Sequence, residues 1–178
     1  MQDPLSVFID TETCGRPNDS EMCDIGIIGL DGTVIFESLV KPYNPIPEDA
    51  TAVHGITNDM VADAPIWDHI AGHVWEALDG KRVIIYNAQY DTGIVNTAQF
   101  VAGLPKLIHE AECAMLAYAA FAGVRNRFGQ DFRWHKLEDA ARRFGITPGG
   151  HRAKADAEAT RQLVDAMANV RRRGGQLL

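Results

Sequence analysis

Residues 5–9 form a short, mainly apolar run, broken only by Ser6, that stops at Asp10. Five residues are too few for a helix, and a mainly apolar segment of this length is typical of a strand buried on both faces. Two further strand patterns, 25–30 and 33–40, flank Asp31-Gly32, a strong short-range hairpin signal. The chain therefore opens with three strands.

Pro42, Pro45 and Pro47 then interrupt regular structure, and short polar turns around 48–58 carry His54-Gly55-Ile56-Thr57. A helix is expected from near Pro65, with Ile66, Ile70, Val74 and Leu78 at helical spacing. Residues 83–86 read as a strand and are followed by a helix with Asp91, Ile94, Val95 and Ala98 on one face. A fifth strand is expected at 106–108. Helices are expected at 112–123, 136–144 and about 153–172, the first two separated by a basic, aromatic segment at 125–134. This order predicts a mixed sheet with helices packed on it.

Asp10-Thr11-Glu12 is the sharpest chemical feature. Residues two apart on a strand point to the same face, so both carboxylates leave the end of a buried strand side by side. Asp91 and Asp156 each sit on the inward stripe of a helix, Asp156 with Thr160, Leu163, Met167 and Val170. Ionised groups aimed inward from separate elements call for a counter-ion. Hard oxygen ligands without a suitable Cys or His set select Mg²⁺ or Mn²⁺ over zinc. Two such ions roughly 3.5–4 Å apart would clamp a scissile phosphate. His151, in the loop after Gly149-Gly150, can reach the same place, and an imidazole suits proton removal from water.

Phe8-Ile9-Asp10-Thr11-Glu12-Thr13-Cys14-Gly15, Tyr86-Asn87-Ala88-Gln89-Tyr90-Asp91 and His151-Arg152-Ala153-Lys154-Ala155-Asp156 resemble, in order, the three motifs of the DEDDh exonuclease superfamily. That group includes the epsilon proofreading subunit of bacterial DNA polymerase III, exonuclease X and ribonuclease T. His54-Gly55-Ile56-Thr57 and Lys136-Leu137 resemble its intervening signatures. The resemblance implies an α/β, ribonuclease H-like fold with a mixed five-stranded sheet flanked by helices. It implies one exonuclease domain over 1–178, with a core of about 5–170 and a short basic tail at 171–178.

The same resemblance implies Asp10, Glu12, Asp91 and Asp156 as ligands of two Mg²⁺ ions, with Mn²⁺ as substitute, and His151 as general base. Thr11, Thr13, Val53, His54, Asn87 and Tyr90 would lie along the terminal nucleotide and its phosphate. Two positions depart from the family pattern: Tyr86 stands where His is usual and Tyr90 where Phe is usual. The expected activity is metal-dependent 3′-to-5′ hydrolysis of single-stranded or frayed DNA ends to 5′-mononucleotides, as in proofreading or DNA repair. A 3′ exoribonuclease and a non-cutting polymerase accessory subunit are the alternatives.

Other readings fail on residue type. His69 and His73 have i, i+4 spacing, but Ile70 occupies the place where H-E-x-x-H needs Glu. A phosphatase nucleophile motif would need Asp where Glu12 stands. No G-x-x-x-x-G-K-[ST] phosphate loop occurs. Trp67, Trp75 and Trp134 are expected in the core or a groove.

A formal charge of −7 by itself argues against a nucleic-acid partner, yet it is uneven: residues 1–100 carry −12 and residues 101–178 carry +5. Arg125, Arg127, Arg133, Lys136, Arg152 and Lys154 form the expected phosphate track. Three widely spaced cysteines without a C-x-x-C pair fit a reducing cytoplasm. No export signal and no membrane span are expected, because the longest uncharged stretch, 113–124, is shorter than the ~18 residues a span requires. The expected protein partners are a polymerase or, through Gln176-Leu177-Leu178, a sliding clamp.

Overall fold

A computed structural model describes residues 5–15 and 20–172. The expected tail beyond Arg172, with its clamp-like Gln176-Leu177-Leu178, lies outside the described residues. The elements are β1 (Ser6–Thr13), β2 (Met22–Gly29), β3 (Val34–Leu39), α1 (Glu48–His54), α2 (Asn58–Val61), α3 (Trp67–Leu78), β4 (Arg82–Ile85), α4 (Ala88–Val101), β5 (Glu112–Cys113), α5 (Ala114–Ala122), α6 (Leu137–Arg143) and α7 (Ala153–Arg172). No described helix is long and apolar enough to cross a membrane.

The sheet order is β3-β2-β1-β4-β5. β1 runs antiparallel to β2 and parallel to β4, and the outer pairs are β2–β3 antiparallel and β4–β5 parallel. This is the mixed five-stranded, ribonuclease H-like sheet that the motifs imply. The Asp31-Gly32 hairpin forms as expected: Gly32 adopts φ 86°, and Asp31 Oδ1 accepts the Thr33 N–H at 2.9 Å.

β1 is central and buried on both faces, and its alternation sorts the two helical layers. Val7 and Ile9 join Ile25, Ile27 and Ile85 under α3 and α4, where Ile70, Val74, Ile94 and Val95 complete one core. Phe8 joins Ile28 and Ile84 under α5, α6 and α7, packed by Tyr118, Ala140, Ala157 and Leu163. The even-numbered face of β1 thus looks toward α7, and the odd-numbered face toward α4.

Some expectations are corrected. The fifth strand is Glu112–Cys113, not 106–108. Leu107 and Ile108 give their N–H groups to Asn96 Oδ1, both at 3.0 Å, and Ile108 returns its carbonyl to Asn96 Nδ2 at 2.8 Å. A side-chain amide on α4 thereby takes the backbone bonds that a neighbouring strand would have supplied. The polar turns at 48–58 contain the two short helices α1 and α2, because Gly55 at φ 73° stops α1 and Thr57 Oγ1 caps α2. Trp67 is buried with its indole N–H donated to Gln99 Oε1, whereas Trp75 is 52% exposed on the outer face of α3.

Candidate active site

Asp10 and Glu12 occupy the even-numbered face of β1, the α7 side, at the end of the strand. Asp10 is paired across the ladder with Gly26, and Gly26 lets α7 approach. A Cβ there would fall well inside van der Waals contact of the Lys154 and Ala153 backbone. With only hydrogen at that point, the first turn of α7 rests on the sheet and carries Asp156 to the strand end.

Gly149 does the same from the loop side, since a Cβ on it would collide with Asp156. The backbone N–H groups of Gly149 and His151 favour the ionised form of the Asp156 carboxylate, against the larger effect of burial. His151 adopts φ 58°, the left-handed region that non-glycine residues rarely use. That turn folds the imidazole back toward α7: ligand atoms of Glu12, His151 and Asp156 all lie within 4.8 Å of one another. His151 Nε2 also stands 3.1 Å from Glu138 Oε1 on α6.

Asp91 arrives from the opposite layer. Its Oδ1 accepts both the Thr11 backbone N–H at 3.0 Å and the Thr11 hydroxyl at 2.8 Å. Thr11 is on the odd-numbered face of β1, so this pair brings a carboxylate of α4 to the strand that already presents Asp10 and Glu12.

The electrostatics are those of anions crowded together. Burial, then Asp91, Asp156 and Glu12, hold Asp10 well above the usual carboxylate range. Burial and then Asp156 push Glu12 up to about 8, and burial raises Asp91 to about 6 against the lowering effect of its Thr11 bonds. Asp156 is raised by burial as well. Among the described residues, no Lys or Arg forms an ion pair with any of the four. A set of hard oxygen donors left without a cation fits divalent metal binding. Asp10 and Asp91 lie outside the compact Glu12–His151–Asp156 group but act electrostatically within the same cluster.

Two residues of the site were not anticipated. Asp24, buried on β2 opposite Glu12, accepts Arg152 Nε at 2.9 Å and the Ala153 N–H at 3.4 Å. It therefore holds both the start of α7 and the arginine beside His151. A charged residue inside the otherwise apolar Ile25–Ile28 neighbourhood was its only sequence signal. Glu138 had none, because its partner is distant in the chain.

The remaining expected residues are placed as follows. Thr13 Oγ1 and Tyr90 Oη lie 2.7 Å apart. Asn87 is exposed just before α4, and Val53 is exposed on α1. His54 is buried: its Nδ1 accepts the Ile56 N–H at 3.0 Å, and its Nε2 lies 3.8 Å from Cys23 Sγ. Burial depresses its pKa, and through the Ile56 N–H it braces the turn that follows α1. Thr11 turns its hydroxyl to Asp91 rather than into open space. Tyr86, in place of the usual His, is buried and donates its hydroxyl to the His135 carbonyl at 2.9 Å.

A groove of about 770 Å³ is lined by Tyr90 and Asn87 together with Tyr43, Trp134 and residues of α4 such as Gly93 and Thr97. The expected phosphate track is narrower than charge alone suggested. Arg152 is engaged by Asp24 and Lys154 by Glu37, which leaves Arg125, Arg127, Arg133 and Lys136 without carboxylate partners among the described residues. His69 and His73 are exposed on α3, and His73 stacks on Phe36.

The RNase_T family profile, described as Exonuclease, matches residues 7–164. The uncharacterized exonuclease CP81 of Escherichia phage 186 is 41% identical over 170 residues, covering 91% of this chain and 87% of that protein. The DNA polymerase III epsilon subunit of Treponema pallidum (strain Nichols) is 27% identical over 164 residues, 89% of this chain and 74% of the relative. Among solved structures, exonuclease X in complex with 5′-overhanging duplex DNA is similar with a TM-score of 0.67 and 27% identity, covering 93% of this chain and 92% of that one.

Proposed function

Because the chain belongs to the exonuclease family and is a 3′-to-5′ exonuclease of the DEDDh type, we propose that it hydrolyses DNA 3′ ends to 5′-mononucleotides with two metal ions and a histidine base. The observation that carries this reading is the convergence of Asp10, Glu12, Asp91 and Asp156 from β1, α4 and α7 with no Lys or Arg ion-paired to them among the described residues.

Those four carboxylates would hold Mg²⁺ or Mn²⁺, which when bound supplies charge neutralisation at the scissile phosphate and acidifies water. The protein's own groups do the rest. His151, beside Glu12 and Asp156, takes a proton from the attacking water. The water oxygen forms a bond to phosphorus, the bond from phosphorus to the 3′ oxygen breaks, and that oxygen takes a proton from solvent to leave the shortened strand with a 3′ hydroxyl. The departing nucleotide is a 5′-monophosphate.

Thr13 and Tyr90 present two hydroxyls 2.7 Å apart, and Tyr90 and Asn87 line the groove, so the terminal nucleotide and its phosphate would lie against these three residues. Val53 offers an apolar contact to the terminal base, held in place by the His54 brace. The DNA-bound exonuclease X neighbour supports a DNA substrate, and the epsilon relative supports action beside a polymerase.

Product analysis on a 3′-overhang DNA and an RNA of the same sequence, in Mg²⁺ and in EDTA, tests the reading. The expected result is stepwise release of 5′-mononucleotides from DNA, abolished by EDTA and by Asp156→Asn. Faster release from RNA would make the enzyme an exoribonuclease. Binding without release in either metal would make it an accessory subunit.

A further inference from the structure

The segment between α5 and α6 is not a plain connection. Arg125 and Phe132 form a bridge, Asn126 N–H bonds the Asp131 carbonyl at 2.8 Å, and Arg133 N–H bonds the Val124 carbonyl at 2.8 Å. The result is a small hairpin whose turn, closed by the Gly129 N–H on the Asn126 carbonyl, projects Phe128.

Phe128 is 67% exposed and Trp134, at the hairpin's far end, is 61% exposed. Burying such rings against protein is the usual outcome, so two aromatics left open on one hairpin need a reason. Their surroundings are cationic. The Arg127 guanidinium lies 4.6 Å from the Phe128 ring centre, and Arg125 lies 4.6 Å from that of Phe132. The hairpin's one carboxylate, Asp131, is turned onto the Phe132 N–H at 2.8 Å and pairs with none of these arginines.

The hairpin also borders the catalytic site. Trp134 shares its groove with Asn87 and Tyr90, the carbonyl of the next residue, His135, accepts the Tyr86 hydroxyl, and α6 begins three residues after Trp134 with Glu138 3.1 Å from His151.

Exposed aromatic faces interleaved with arginines are what a single strand requires, stacking for bases and positive charge for phosphates. Resting on the exonuclease reading, we propose that the 124–134 hairpin is a second nucleic-acid contact. Phe128 and Trp134 stack on bases upstream of the scissile bond while Arg125, Arg127 and Arg133 hold the phosphates between them. The enzyme then grips several nucleotides of a single-stranded tail in addition to the terminal one.

The test compares two substrates: a 12-nucleotide single-stranded DNA, which reaches the hairpin, and the p-nitrophenyl ester of thymidine 5′-monophosphate, which does not. Phe128→Ala should raise KM on the oligonucleotide by about 5- to 100-fold, the factor for losing one base–aromatic stack. It should leave the ester rate unchanged, and Phe128→Tyr should restore oligonucleotide KM. Arg133→Gln should flatten the salt dependence of oligonucleotide binding by about 0.7 in log–log slope, the share of one phosphate on a single strand. An unchanged oligonucleotide KM in Phe128→Ala, with wild type cleaving both substrates, overturns the hairpin contact alone. Failure of wild type on both would instead overturn the exonuclease reading itself.

Discussion

Thr11 holds Asp91 through two hydrogen bonds to one oxygen, its N–H at 3.0 Å and its hydroxyl at 2.8 Å. With Oδ1 thus engaged, the second carboxylate oxygen is the one left for a metal. The central strand therefore presents two acids on one face and orients a third from the other, and Thr11 is the residue that makes the two helical layers meet at one point.

Thr11→Val keeps the backbone donor and loses the hydroxyl. It should lower kcat or raise the Mg²⁺ concentration needed for half-activity by about 10–100-fold, the usual cost of losing an outer-shell partner. Thr11→Ser should behave as wild type. Unchanged Mg²⁺ titrations for Thr11→Val would show that Asp91 needs no such support.

His151→Ala should slow turnover by ~10²–10⁴-fold, the range for a general base, without weakening DNA binding. Glu138, 3.1 Å from His151 Nε2, should matter through that histidine. Glu138→Ala should reduce kcat in an otherwise wild-type enzyme and have no further effect when His151 is already Ala. Additive losses in the double variant would separate the two residues.

Glu12, pushed up to about 8 by burial and by Asp156, makes metal-free stability fall with pH. An unfolded glutamate titrates near ~4.3, so between there and about 8 the folded chain keeps a proton that the unfolded chain has released. Stability from this group is fully present below about 4, declines through about 8 and is flat above. Thermal unfolding in EDTA should show Tm declining across that window, and Mg²⁺, which binds the ionised carboxylates, should oppose the decline. Glu12→Gln, neutral at every pH, should be more stable than wild type at pH 8 in EDTA. Parallel Tm profiles for the two proteins would contradict this.

Gly26→Ala introduces a methyl group where the α7 backbone already lies. Overpacking of this kind costs roughly 1–3 kcal/mol, and relief requires α7 to move off the sheet and take Asp156 with it. The variant should lose Tm and activity together. A wild-type melting point with wild-type activity would mean that the contact can relax.

Much of this was legible because it repeats along the chain. The double-faced burial of residues 6–9, though not of the exposed Leu5 before them, the Asp31-Gly32 turn and the inward stripes carrying Asp91 and Asp156 follow from local periodicity. So does the pairing of Asp10 with Glu12 on one face. The fifth strand was missed because strand length carries no signal at two residues, and the Asn96 amide that displaces pairing from 106–108 acts across a turn. Asp24 and Glu138 escaped for a similar reason: their partners, Arg152 and His151, are far away in sequence.

By itself, the sequence determined the identities of the acids and histidine, the faces of strand and helix on which most of them lie, and the uneven charge that marks residues 101–178 as the basic part. Local propensity and periodicity carry that information. Only the tertiary structure decided which cations are free. Of the six expected track cations, Arg152 and Lys154 are engaged by Asp24 and Glu37, so Arg125, Arg127, Arg133 and Lys136 are the ones left without a carboxylate partner among the described residues. It also decided how near the acids come to one another, because that distance depends on two close backbone approaches, at Gly26 and Gly149, which no pattern of residue types along one element specifies.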